Sequence, residues 1–159
     1  MASKIARFLT SSGRKVTVDT VADYLRLLED AYIFLRAGRY DIKGKSLMKT
    51  NHTYYLVDLG PRHILVGTSA QDYGASLENI IYLELIRRGY QVTTGKYRDL
   101  EIKIIARPPK GRLHIQVSAG IMDEHTRERE LRSLRAVQDE HPKLVLTMDK
   151  LPYHDFEGI

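Results

Sequence analysis

The sequence predicts a mixed α+β/α/β fold: an N-terminal winged-helix module over residues 1–60, followed by a small α/β domain over residues 61–159. Three observations predict it. Two short amphipathic stretches lead directly into two strand-like runs separated by a turn. A longer helical stretch then precedes three β-patterned runs, a second helix and one more strand. Finally, 159 residues with 43% hydrophobic content supply enough apolar material for the core of one ordinary domain or two small ones.

In the first unit, Ile5, Phe8 and Leu9 have helical spacing, and Ser11, Ser12 and Gly13 stop that helix. Thr17 is a suitable N-cap for a second helix over 18–30, with Val21, Tyr24, Leu25 and Leu28 on one face. Two short helices joined by a glycine-containing turn suggest a helix-turn-helix. Residues 32–36 then read as a strand, 41–45 as a turn and 53–57 as a returning strand, so the hairpin has the position of a wing. The usual first helix of such a module is missing, which predicts uncovered apolar surface and self-association.

Pro61 and residues 67–74 read as a boundary. Beyond it, Ser76 can cap a helix over 77–88, apolar at Leu77, Ile80, Ile81 and Leu85 and ended by Gly89. Strands follow over 90–94, 100–106 and 113–118. A charged helix over 124–139 keeps Leu131, Leu134 and Val137 inward, and a last strand over 144–148 follows Pro142. A strand reached across a helix is added by a crossover, which makes this unit α/β.

Composition excludes several classes. The absence of cysteine rules out a disulfide framework, a thiolate metal site and a cysteine nucleophile, and it fits a reducing cytoplasm. No apolar run approaches the ~20 residues of a membrane span, so a cytoplasmic chain without a membrane partner is expected. The net charge of +5 points to a polyanionic partner only where it is concentrated. Residues 1–60 hold 10 basic and 6 acidic residues, while residues 61–159 hold 15 and 14. Within the first unit the excess gathers on the hairpin, at Arg36, Arg39, Lys43, Lys45 and Lys49 against Asp41.

The run from Gly38 to Ser46 imitates a phosphate-binding P-loop, but five residues separate Gly38 and Gly44 where the loop needs four. No helical stripe follows it, so it reads as a basic β-turn. The six histidines have no His-x-x-x-His spacing, which argues against zinc. No Gly-x-Ser-x-Gly elbow supports a serine hydrolase.

Leu77-Glu78-Asn79 early in a helix, Glu101-Ile102-Lys103 in a strand and Ile115-Gln116-Val117-Ser118 in the next form a more specific pattern. With residues 39–45, 55–60, 77–90 and 123–130, it closely resembles the C-terminal region of a prokaryotic AAA-type ATP-binding protein family, itself a domain of unknown function. The resemblance extends over about residues 3–159. It implies a winged helix and a restriction-endonuclease-like domain, with an ATPase as the expected partner and self-assembly as the other. In endonuclease-like folds a helix acid, a strand aspartate and a following acid-x-lysine hold a divalent metal and assist the attacking water. By that resemblance Glu78 fills the helix position, Lys103 the strand aspartate, Gln116 the next acid and Ser118 the lysine. An ammonium at a metal position removes a carboxylate ligand and adds a repulsive charge. The expectation is a degenerate site with no catalytic residue, metal or cofactor, in a non-catalytic accessory module that binds protein or, weakly, nucleic acid. The alternative is a metal-dependent DNA nuclease or a DNA-binding regulator.

For nucleic acid, Arg36, Arg39, Lys43 and Lys45 are the candidate phosphate contacts, giving weak, salt-sensitive and sequence-independent affinity. Asp19, Asp23, Glu29 and Asp30 on the second helix oppose such contacts.

Overall fold

The computed structural model describes residues 1–67, 69, 72–150 and 155–159, without the side chains of Thr50 and Asn51. The chain runs α1 (Ala2–Ser11), α2 (Val18–Asp30), β1 (Phe34–Asp41), β2 (Ser46–Leu56), α3 (Gly60–Val66), α4 (Tyr73–Arg87), β3 (Gln91–Tyr97), β4 (Leu100–Arg107), β5 (Leu113–Ser118), α5 (Glu124–Ala136) and β6 (Lys143–Thr147). Among the described residues, six strands form one mixed sheet in the order β2-β1-β3-β4-β5-β6. The fold is therefore of the mixed α+β/α/β class, as expected.

Local chemistry sets the helix ends. Thr17 accepts the Thr20 amide at 3.1 Å and starts α2, as its residue type predicts. Asp123 accepts the Thr126 amide at 2.7 Å and starts α5. After α4, Gly89 takes a left-handed φ of 81°, which closes the helix where the sequence places its stop. The helix itself begins at Tyr73, so Ser76 lies in its first turn instead of capping it. The boundary expected over 67–74 falls partly outside the described residues.

The second half has the predicted order: α4, the antiparallel run β3, β4 and β5, then α5 and a parallel β6. The parallel β5/β6 pair needs the crossover that α5 provides. Leu131, Leu134 and Val137 are buried as expected. In α4 the inward face is carried by Asn79 and Tyr82, while Ile80 turns outward.

The hairpin differs from its expected role. β1 and β2 are longer than the runs that announce them, and β1 pairs in parallel with β3 through Arg39↔Thr94 to Asp41↔Lys96. The strands on the two sides of residue 60 thus share one sheet. A free-standing wing would leave the β1 edge unpaired; here β3 pairs with that edge, and Tyr40 and Ile42 are buried in the core that α5 covers. The core lies on both faces of the sheet. Tyr82 of α4 packs with Ala37, Tyr55, Ile104 and Val117 on one side, and Leu134 of α5 packs with Tyr40, Ile102 and Ile105 on the other. Each isoleucine fully buried in β4 is worth about 2–3 kcal/mol relative to exposure. An extra β4 residue between the pairs Thr93↔Ile105 and Gly95↔Ile102 bends the sheet here. A Cβ added to Gly95 would fall 2.7 Å from Ile105 Cδ1, so glycine is the residue that fits the bend.

Candidate functional site

The residues singled out in the second half meet where β4 and β5 part. α4 carries Glu78 and Asn79 on adjacent positions, and they do different work. Asn79 is buried and acts as a clamp: its Oδ1 accepts the Leu56 amide at 2.8 Å and its Nδ2 donates to the Leu56 carbonyl at 2.8 Å. That double bond ties α4 to the end of β2. Glu78 accepts the Tyr55 hydroxyl at 2.8 Å, and the Lys103 ammonium lies 3.5 Å from its other oxygen. Tyr55 stacks on Tyr82 with ring centroids 3.9 Å apart, and burial together with the Glu78 charge pushes its phenol far above the ordinary tyrosine range. Tyr55 is therefore a permanent donor that fixes the Glu78 carboxylate.

Gln116 fills the fork itself. Backbone pairing between β4 and β5 runs from Ala106↔Leu113 to Ile104↔Ile115. Beyond that point, Gln116 Oε1 accepts the Lys103 amide at 2.8 Å, and Nε2 donates to the Glu101 carbonyl at 3.2 Å and to the Ser133 hydroxyl of α5. One side-chain amide thus serves two β4 backbone groups that a continuing ladder would have paired. Ser118 turns to its own loop, donating to the Gly120 carbonyl at 2.8 Å. Of the four positions Glu78, Lys103, Gln116 and Ser118, the first three come together through Lys103 and the fourth stays apart. Among the described residues, no three His, Asp or Glu side chains gather to hold a metal ion. Glu78 meets a cation of the chain's own, the Lys103 ammonium.

The four candidate phosphate contacts separate into two kinds. Arg36 pairs with Glu29 of α2 at 3.3 Å, and Arg39 with Glu101 at 3.3 Å, so both are already engaged by carboxylates. Lys43 and Lys45 stand exposed in the β1/β2 turn, with no ion pair among the described residues.

One group escaped the sequence reading. His114, set aside in sequence with the other histidines for want of zinc spacing, is completely buried, with Nε2 2.9 Å from Asp139 and Nδ1 without a hydrogen bond. Burial lowers its affinity for a proton, and the Arg112 and His141 charges act in the same direction against Asp139. The signal available was its place at an inward position of an alternating strand.

The fold and the fork define a mixed α/β protein whose polar centre is closed on itself by an ion pair and a bridging amide. No family model matches the chain, and no solved structure matches it. Over 157 residues, 99% of this chain, it is 39% identical to an uncharacterized protein of Haemophilus influenzae, covering 38% of that protein. Over 87 residues, 55% of this chain, it is 30% identical to the uncharacterized protein MJ1544 of Methanocaldococcus jannaschii, covering 19% of it. The chain spans less than two fifths of the length of these relatives.

Proposed function

We propose that this chain is a non-catalytic binding module built on an endonuclease-like framework, working beside a larger partner such as an ATPase. One observation carries the reading: the Lys103 ammonium lies against Glu78, at the position where a metal-dependent nuclease needs a carboxylate. A hard divalent cation prefers oxygen ligands, and a resident ammonium would oppose its approach. Gln116 supports the same reading. Its amide is spent on the Lys103 and Glu101 backbone and on Ser133, so moving it toward a substrate would leave the two backbone groups unpaired. The order of α4, three strands, α5 and a parallel β6 supports the endonuclease-like part. The test is incubation of supercoiled plasmid with the protein in magnesium and in manganese, alongside Glu78→Gln. The expected result is intact plasmid in every lane. Metal-dependent nicking that disappears in E78Q would overturn the proposal and favour the nuclease.

A further inference from the structure

Three adjoining cavities of about 480, 400 and 360 Å³ run along the end of the sheet where the β1/β2 turn meets the β3/β4 turn. Their walls interlock. Lys43 lines the first two, Arg98 the second and third, and Tyr97 the first and third, so the three adjoin as one interrupted groove around these side chains. Six cations line it: Lys43, Lys45, Lys96, Arg98, Arg112 and Arg132. None has an ion pair among the described residues, in contrast to Arg36 and Arg39. Three acids share the lining, namely Asp41, Asp99 and Asp139. Asp41 is occupied by the Gly44 amide at 3.0 Å and Asp139 by His114 and the His141 amide. Six cations against three acids leave an excess of three positive charges.

Two further features shape the groove for a particular ligand. Tyr97 lies where two cavities meet, with the Arg98 guanidinium 5.6 Å from its ring centroid, and the Arg112 guanidinium sits 4.4 Å from that of Tyr40. Lys45 and Arg98 also hold left-handed backbone angles, φ 51° and 56°, where glycine or asparagine is the usual choice. Basic side chains occupy both turn tips at a conformational cost, and both point the choice of residue toward charge.

From this we infer that the groove binds the phosphate backbone of single-stranded nucleic acid, with Lys43 and Arg98 at its centre. A row of unpaired cations matches a repeating polyanion better than a single small anion, and an aromatic ring among them offers a base a stacking face. The inference deepens the reading of the chain as a binding module, and it moves the contact surface from the hairpin strand to the two turns and the start of β5.

The test is fluorescence anisotropy with a labelled thymidine 20-mer in EDTA at low salt. Wild type is expected to bind, with a slope of log affinity against log salt of about −3 for about four phosphate contacts. The double variant Lys43→Gln, Arg98→Asn keeps a residue tolerant of the left-handed turn, and it is expected to lose about tenfold or more in affinity. Arg36→Gln, which removes an ion-paired arginine, is expected to change affinity less than about twofold. Absence of binding at low salt, equal loss in both variants, equally tight binding of the matching duplex, or full competition by polyglutamate would each overturn the assignment. Because EDTA removes any metal, these outcomes are independent of nuclease activity. A gel of the same oligonucleotide after incubation with manganese reads that activity separately, so the groove and the non-catalytic reading fail by different results.

Discussion

Gln116 shows how a single side chain can hold together the point where two strands part. Replacing it with leucine would leave the Lys103 amide and the Glu101 carbonyl without their partner in a buried fork, while the Ser133 hydroxyl keeps its bond to the Glu130 carbonyl. Buried groups left unpaired cost about 1–3 kcal/mol each, so Gln116→Leu is expected to lower stability by about 3 kcal/mol in urea unfolding. A loss under about 0.5 kcal/mol would show that the amide is dispensable. His114 makes a second prediction at this scale. Burial holds it neutral in the fold, whereas an unfolded histidine takes up a proton near pH 6.5. The unfolded chain therefore binds more protons as pH falls below that value, and stability falls with it. Asp139, raised by its own burial but brought below the ordinary carboxylate range by its interactions with His114 and His141 taken together, adds its loss only in stronger acid. The urea midpoint is expected to drop between pH 7.5 and 5.5 in the wild type and to change less in His114→Gln. A midpoint that is flat or rises over that interval would contradict the buried neutral imidazole. Gln116 and His114 stand two residues apart, on a common face of one strand. That spacing could not reveal what faces them, because Ser133 and Asp139 lie 17 and 25 residues away in sequence.

At the scale of elements, α4 owes its seat to the Asn79 clamp as much as to its apolar residues. Asn79→Ala would strand both polar groups of Leu56 and is expected to cost about 2 kcal/mol, read as a lower urea midpoint. An unchanged midpoint would mean that packing of Tyr82 and its neighbours holds the helix alone. The strands β3, β4 and β5 and the helix α5 were legible because their alternation, turn residues and caps act locally. The outward turn of Ile80 was not, because the clamp and the Tyr55 stack, both formed with β2, set the rotation of α4. The same holds for the hairpin. Its turn at 41–45 could be read from Asp41 and Gly44, but its union with β3 is a contact more than 50 residues long in sequence, and no local signal announces it.

For the whole molecule, the charge excess and the apolar surface lie in different places. α1 and α2 leave Phe8, Tyr24 and Leu27 well exposed, with Phe8 at 69%. The sequence expects uncovered apolar surface here, and self-association is the outcome to look for by light scattering. The apparent mass is expected to rise with concentration, and Phe8→Lys with Leu27→Lys should reduce the rise. A monomer over a wide concentration range would contradict it. The +5 net charge, read at first as one basic hairpin, is distributed otherwise in the fold. Carboxylates engage Arg36 and Arg39, and the unpaired cations come together from the β1/β2 turn, β3 and its turn to β4, the residue before β5, and α5, which folding alone brings side by side.

The claim on which this account turns is that Lys103 holds Glu78 in a site closed to metal. Titration of the protein with manganese, followed by the loss of the free-ion paramagnetic resonance signal, measures it most directly. No site is expected to fill at micromolar manganese in the wild type or in Glu78→Gln, and a site is expected to be gained in Lys103→Asp, which places a second carboxylate beside Glu78. One manganese ion bound per wild-type chain at micromolar concentration, and lost in E78Q, would contradict it.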